Sequence, residues 1–145
     1  MLNLKTAGIA LVFAAAVAVS GCAMDDGKKS FKANLSGTAE VPPNDSKGTG
    51  TATFTFDEKT KVLTYNITYS GLKAAPTAGH IHGPAAMGAN AGVMIPFAAP
   101  ASPITGSATL NDAQVAALVA GQMYVNIHSS AHPPGEIRGQ ITQGM

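Results

Sequence analysis

From residue 49 onward the chain alternates apolar and polar side chains with a period of two. In "TATFTF" Ala52, Phe54 and Phe56 share one face, and Thr51, Thr53 and Thr55 share the other. In "LTYNITY" Leu63, Tyr65, Ile67 and Tyr69 oppose Thr64, Asn66 and Thr68. With "DEKT" as a turn, residues 49–70 are expected to form a β-hairpin, because successive strand side chains point to opposite faces. Further strands are expected at Phe31–Leu35, Ala78–His82, Val93–Phe97, Ile104–Leu110, Met123–His128 and Glu136–Ile141. Gly and Pro punctuate the intervals between them.

One segment departs from this period. "NDAQVAALVAGQ" opens on Asn111 as an N-cap, with Gln114 three residues later completing a capping box. Val115, Leu118 and Val119 fall at helical spacing and Gly121 suits the C-terminal cap. This predicts a short helix over about Asp112–Ala120, packed over an end of the sheet. "AAMGANAGVMIPFAAPASP" reads as a Gly/Ala/Pro-rich loop region around one short strand, and no internal repeat is visible. The expected fold is therefore all-β, an antiparallel Greek-key-like sandwich or barrel of roughly 7–8 strands with one helix.

Composition changes the picture mainly at the N-terminus. "MLNLKTAGIALVFAAAVAVSGC" has the charged start, the apolar run from Ala7 to Val19 and the small residues of an export signal. That run is too short for a permanent membrane span. Val19-Ser20-Gly21-Cys22 resembles a bacterial lipobox, whose cysteine becomes the lipidated first residue, and Cys22 is the single cysteine of the chain. The alternative is an ordinary signal with an incidental thiol. Residues 1–22 are thus expected to be a lipoprotein signal, 23–30 a polar tether and 31–143 one β domain. Ala23 and Met24 follow the cysteine instead of aspartate. This places the domain in a bacterial envelope, at the outer membrane if the host is Gram-negative, with the lipid as its only membrane contact. Of nine Lys/Arg, all but Lys5 follow Cys22 and balance eight Asp/Glu, so no basic surface invites nucleic acid.

The chemistry-bearing residues are the histidines. All four lie in two tight pairs, His80 and His82 in "GHIHGP", and His128 and His132 in "NIHSSAHPPGE". On a strand, His80 and His82 project together while Ile81 points away. In "YVNIH", Val125 and Ile127 take one face and Tyr124, Asn126 and His128 the other. Both strands can then bury aliphatics and present imidazoles to a common exterior or rim. His132 follows in a turn composition that can fold back toward His128. Neutral imidazole suits copper, zinc and nickel. With neither thiolate nor carboxylate in these motifs, the set favours copper, with zinc as the alternative. The bland reading is that H-x-H pairs on exposed strands serve solubility alone.

Met87, Met94 and Met123 are soft donors for Cu(I), but methionine more often fills gaps in a core. Glu136 and Arg138 sit at i and i+2 on one strand face, where they are expected either to pair or to order the turn holding His128 and His132. Nothing matches a hydrolytic nucleophile–base pair, a phosphate-binding glycine loop or a dinucleotide fingerprint.

"FKANLSGTAEVPP", "TFTFDEKTKVLTYNITYSGL", "GHIHGPA" and "YVNIHSSAHPPGEIRGQI" together resemble the CHRD domain, the module named from chordin, in the family's order. That resemblance implies a secreted or lipid-anchored β module that binds rather than catalyses. It implies also that His132, which many members replace, is the least transferable of the four histidines. A looser likeness links "GHIHGP" and "VNIH" to the copper-binding strands of Cu/Zn superoxide dismutases. Residues 83–127 hold no histidine, so that likeness implies at most a copper-only site. Three functions compete: a metal binder for buffering, sequestration or delivery; an extracellular module with a protein partner; and a copper-dependent dismutase.

Overall fold

The period-two segments form the wall of a nearly closed antiparallel barrel. The computed structural model describes residues 26–144, so the export signal and Cys22 lie outside the described residues. Nine strands are present: β1 (Lys28–Ser36), β2 (Thr49–Asp57), β3 (Val62–Ser70), β4 (Pro76–His82), β5 (Val93–Pro96), β6 (Ile104–Thr109), β7 (Tyr124–Ser129), β8 (Ile137–Gln140) and β9 (Thr142–Gln143). Their order in space is β5-β4-β7-β8-β1-β2-β3-β6, with β9 adding to β1. The hairpin expected at residues 49–70 is β2–β3, paired in register from Thr49↔Ser70 to Asp57↔Val62.

The core is the inward face predicted by alternation. Phe31, Leu35, Phe54, Phe56, Leu63 and Ile67 from β1–β3 meet Ile81, Val125, Ile127 and Ile137 from β4, β7 and β8, all at most 3% exposed. Each such side chain contributes about 1.5–3 kcal/mol on leaving water. The threonines of β2 and β3 face solvent, so this half of the sheet keeps one wet face.

The helix α1 runs from Asp112 to Val119 and has the expected capping box. Asn111 accepts from the Gln114 amide, and the Gln114 side chain accepts from the Asn111 amide. Gly121 follows in the left-handed conformation at φ 68°. The expected apolar stripe is corrected at one position, because Val119 is 51% exposed and Ala117 takes its place against the core beside Leu118. The helix is too short to bury a wide face, so one branched residue is left outside.

The larger correction concerns β7. Alternation assigns Tyr124, Asn126 and His128 to an open face, yet Tyr124 is 3% and Asn126 4% exposed. Three loops roof that outer face: residues 39–46, the β4–β5 loop and the β7–β8 turn. Asn44 Nδ2 donates to the carbonyls of Gly135 and Glu136, and Asn126 Nδ2 donates to the Glu40 carboxyl. At Gly135 φ is 140°, and an added Cβ would stand 2.6 Å from Asn126 Oδ1, so only glycine closes this roof.

Candidate metal centre

Strand pairing brings the two histidine motifs together. In the β4–β7 ladder Ala78 lies opposite His128, His80 opposite Asn126 and His82 opposite Tyr124. His80, His82 and His128 therefore share one patch of the roofed face, each half-buried. One nitrogen from each ring lies within 4.8 Å of the others. The tightest edge is His80 Nδ1 to His128 Nε2 at 3.2 Å. A metal about 2.0–2.1 Å from each nitrogen needs ligands roughly 3.3 Å apart in tetrahedral geometry. One edge already meets that spacing, and the others lie within 4.8 Å.

The second nitrogen of two rings is committed. His82 Nδ1 lies 3.0 Å from the Ala91 carbonyl oxygen and His128 Nδ1 lies 2.8 Å from that of Pro133. A carbonyl oxygen only accepts, so both Nδ1 atoms carry the proton and both Nε2 atoms present lone pairs. Nε2 of His82 is buried with no hydrogen-bond partner. An acceptor left in that state costs about 1–3 kcal/mol. Backbone carbonyls on the far nitrogens are the usual support of ligating histidines. Burial holds the imidazoles of His80 and His82 below the ordinary range, with the neighbouring histidines adding repulsion; for His82 the Ala91 carbonyl opposes this. Both shifts favour the neutral form of the ring, the form that ligates.

His132, expected as a fourth ligand, is not among this group. The turn bonds its backbone N–H to Ser129, and its ring stands near enough to Asp45 and Glu136 to favour both carboxylates. Backbone bonds in both directions between Ser129 and His132 close the turn, and the ring stays outside the three-histidine group.

The expected Glu136–Arg138 pairing is also corrected. Among the described residues no ion pair joins them. The Glu136 carboxylate, fully buried, accepts from Ser46 Oγ, Ser129 Oγ and the Lys73 amide. Burial raises its pKa, but these donors and nearby His132 outweigh burial and hold it below the usual carboxylate range. Glu136 thus joins Ser129, at the end of the His128 strand, to Ser46 of the 39–46 loop. Arg138 turns to the β4–β5 loop, with Nη1 donating to Asn90 Oδ1 and Nη2 to the Ala89 carbonyl, and its guanidinium 3.4 Å above the Tyr124 ring. Tyr124 in turn stacks on His82, with centroids 5.0 Å apart and planes at 5°.

Sequence reasoning missed Glu40, Tyr124, Asn126 and Ala91. Tyr124 and Asn126 were legible as same-face neighbours of His128, but the roof that gives them work was not. Glu40 is pushed up to about 7 by burial, against the opposing effects of the Asn126 bond and the Arg138 charge. With Arg138 it lines a cavity of about 620 Å³, whose walls include Val41, Pro43 and Met87. Met123 is fully buried, and Met94 packs partly buried against the core, the gap-filling role.

Residues 31–141 match the CHRD domain family, and the chain belongs to it. No curated protein and no solved structure gives a match, so the local likeness to superoxide dismutase strands is not borne out.

Proposed function

We propose that this CHRD domain binds one transition-metal ion, copper(II) in preference and zinc as the alternative, through His80, His82 and His128. The observation carrying this reading is His82 Nε2, buried and unpartnered, grouped with two further imidazoles. Three neutral nitrogens with no thiolate suit a borderline metal and leave a fourth position for water or an incoming donor. Such a site buffers, sequesters or hands over metal. The test is a Cu(II) titration of the purified protein with electron paramagnetic resonance. One ion per chain with a nitrogen-rich spectrum supports the reading, and weak superstoichiometric binding that ignores His80→Ala sinks it.

The setting belongs to the same proposal. The Val19–Cys22 pattern supports a lipid-anchored envelope protein, at the outer membrane in a Gram-negative host. No described helix is long and apolar enough to cross a membrane. Labelled palmitate should enter the protein in cells and fail to enter Cys22→Ala.

A second reading, an extracellular module for a protein partner, draws on the family and on Met87, 77% exposed at the rim of the cavity. It requires partner capture to survive replacement of all three clustered histidines and to fail for Met87→Asp.

A further inference from the structure

The β4–β5 loop is tied down at three consecutive residues, Ala89, Asn90 and Ala91, and the last of them meets the ring of His82. Arg138 holds the Ala89 carbonyl and the Asn90 side chain, and Asn90 Nδ2 donates to the Val41 carbonyl. The next residue, Ala91, is gripped from both ends of its backbone by one hydroxyl. Its N–H donates to Tyr124 Oη at 3.0 Å, and Tyr124 Oη donates to its carbonyl oxygen at 3.2 Å. That same carbonyl accepts from His82 Nδ1. The Tyr124 ring lies parallel to the His82 ring, and the Arg138 guanidinium sits over it.

From this stack we infer that Tyr124 and Arg138 are positioning residues of the metal centre, which fix the Nδ1–H tautomer and the ring plane of His82 through the Ala91 carbonyl. The inference rests on the proposed metal site for its purpose, but the tautomer itself exists without metal. Neutral imidazole carries its proton on either nitrogen, and the hydrogen bond at one nitrogen decides which lone pair faces a ligand. An exposed loop of Ala, Gly and Asn has nothing intrinsic to hold a carbonyl on target. The Tyr124 hydroxyl and the Arg138 fork supply that constraint, and the stacked ring fixes the imidazole plane. Supports of this kind are worth about 10–100-fold in metal affinity.

The test uses two variants. Tyr124→Phe keeps the ring stacked on His82 and removes only the hydroxyl bridge. Arg138→Lys keeps the charge and loses the two-pronged hold on the loop. The first readout is the pair of His82 ring ¹⁵N shifts in metal-free protein at pH 7.5. The wild type should show a single Nδ1–H form, and each variant a mixture of tautomers. The second readout is Cu(II) affinity, expected to fall about tenfold in each variant with the one-ion stoichiometry kept. A single Nδ1–H tautomer in both folded variants, with affinity within about twofold of wild type, overturns the inference, whatever happens to melting temperature. Failure of the wild type to bind metal sinks the metal reading alone, because the tautomer readout then still decides this one.

Discussion

His80 Nδ1 and His128 Nε2 stand 3.2 Å apart across the β4–β7 ladder, though 48 residues separate them in the chain. His128 Nε2 carries a lone pair, since its Nδ1–H is given to Pro133. In the metal-free protein the His80 proton therefore fills the gap between the rings. On the proposed reading a metal ion would displace that proton, and His80 would keep its hydrogen on Nε2. The contact has the spacing that one edge of the proposed coordination triangle would need.

His80→Ala should therefore abolish stoichiometric copper binding, with at least about 100-fold loss of affinity. Metal-free stability should change by less than about 1 kcal/mol, because one modest hydrogen bond is lost from a half-buried site. His132→Ala should leave stoichiometry and spectrum unchanged. Titration and urea denaturation of both variants check this, and loss of binding in His132→Ala would restore it as a ligand.

Acid should weaken the metal-free fold through His80 and His82. Their folded pKa values lie below the unfolded ones, chiefly from burial, so the folded state binds fewer protons. The stability they contribute is present above the ordinary histidine range and is lost as pH falls through the lowered values. Replacing both with glutamine should flatten this part of a stability-versus-pH curve measured by urea denaturation.

Glu40 acts in the opposite sense. Its folded pKa, about 7 against an ordinary 4.5, means that the protein releases this proton later than the unfolded chain does. Its contribution is intact below about pH 4.5 and disappears as pH rises through about 7. A tenfold difference in acidity between folded and unfolded chain is worth roughly 1.4 kcal/mol, and the solvent that still reaches this carboxyl reduces the total. Glu40→Gln should be about 1–3 kcal/mol more favourable relative to wild type at pH 8 than at pH 4.5. An equal difference at both pH values would show that Glu40 ionises normally.

Glu136→Ala should cost about 2–4 kcal/mol, because Ser46, Ser129 and the Lys73 amide lose a shared buried acceptor. The same change should weaken copper binding, since the turn it orders delivers the Pro133 carbonyl to His128. Glu136→Gln keeps an acceptor and should recover part of both. Chemical denaturation and titration on the two variants measure the pair of effects.

Much of the scaffold was readable from neighbouring residues alone. The alternation of Phe54 and Phe56 with threonines placed a hairpin to the residue, and Asn111 with Gln114 placed the start of a helix. The spacing of His80 and His82 put two imidazoles on one side of one strand. These are short-range matters: strand period, capping and turn chemistry act within about four residues. The same logic failed at Val119, where the helix was too short to bury it, and it did not foresee that His132 would stand outside the group of three.

What the chain order alone determined was therefore a set of amphipathic strands, one capped helix and two histidine pairs facing away from the aliphatic side. Only the tertiary structure decided that β4 and β7 are neighbours and that three loops seal their outer face. The roof sets the Nδ1 proton of His82 on Ala91 and leaves its Nε2 lone pair unsatisfied. Those outcomes depend on hydrogen bonds such as Asn44 to Gly135 and Asn126 to Glu40, which span 91 and 86 residues. No local pattern encodes such a bond, because its free energy exists only once the whole barrel has brought both ends together.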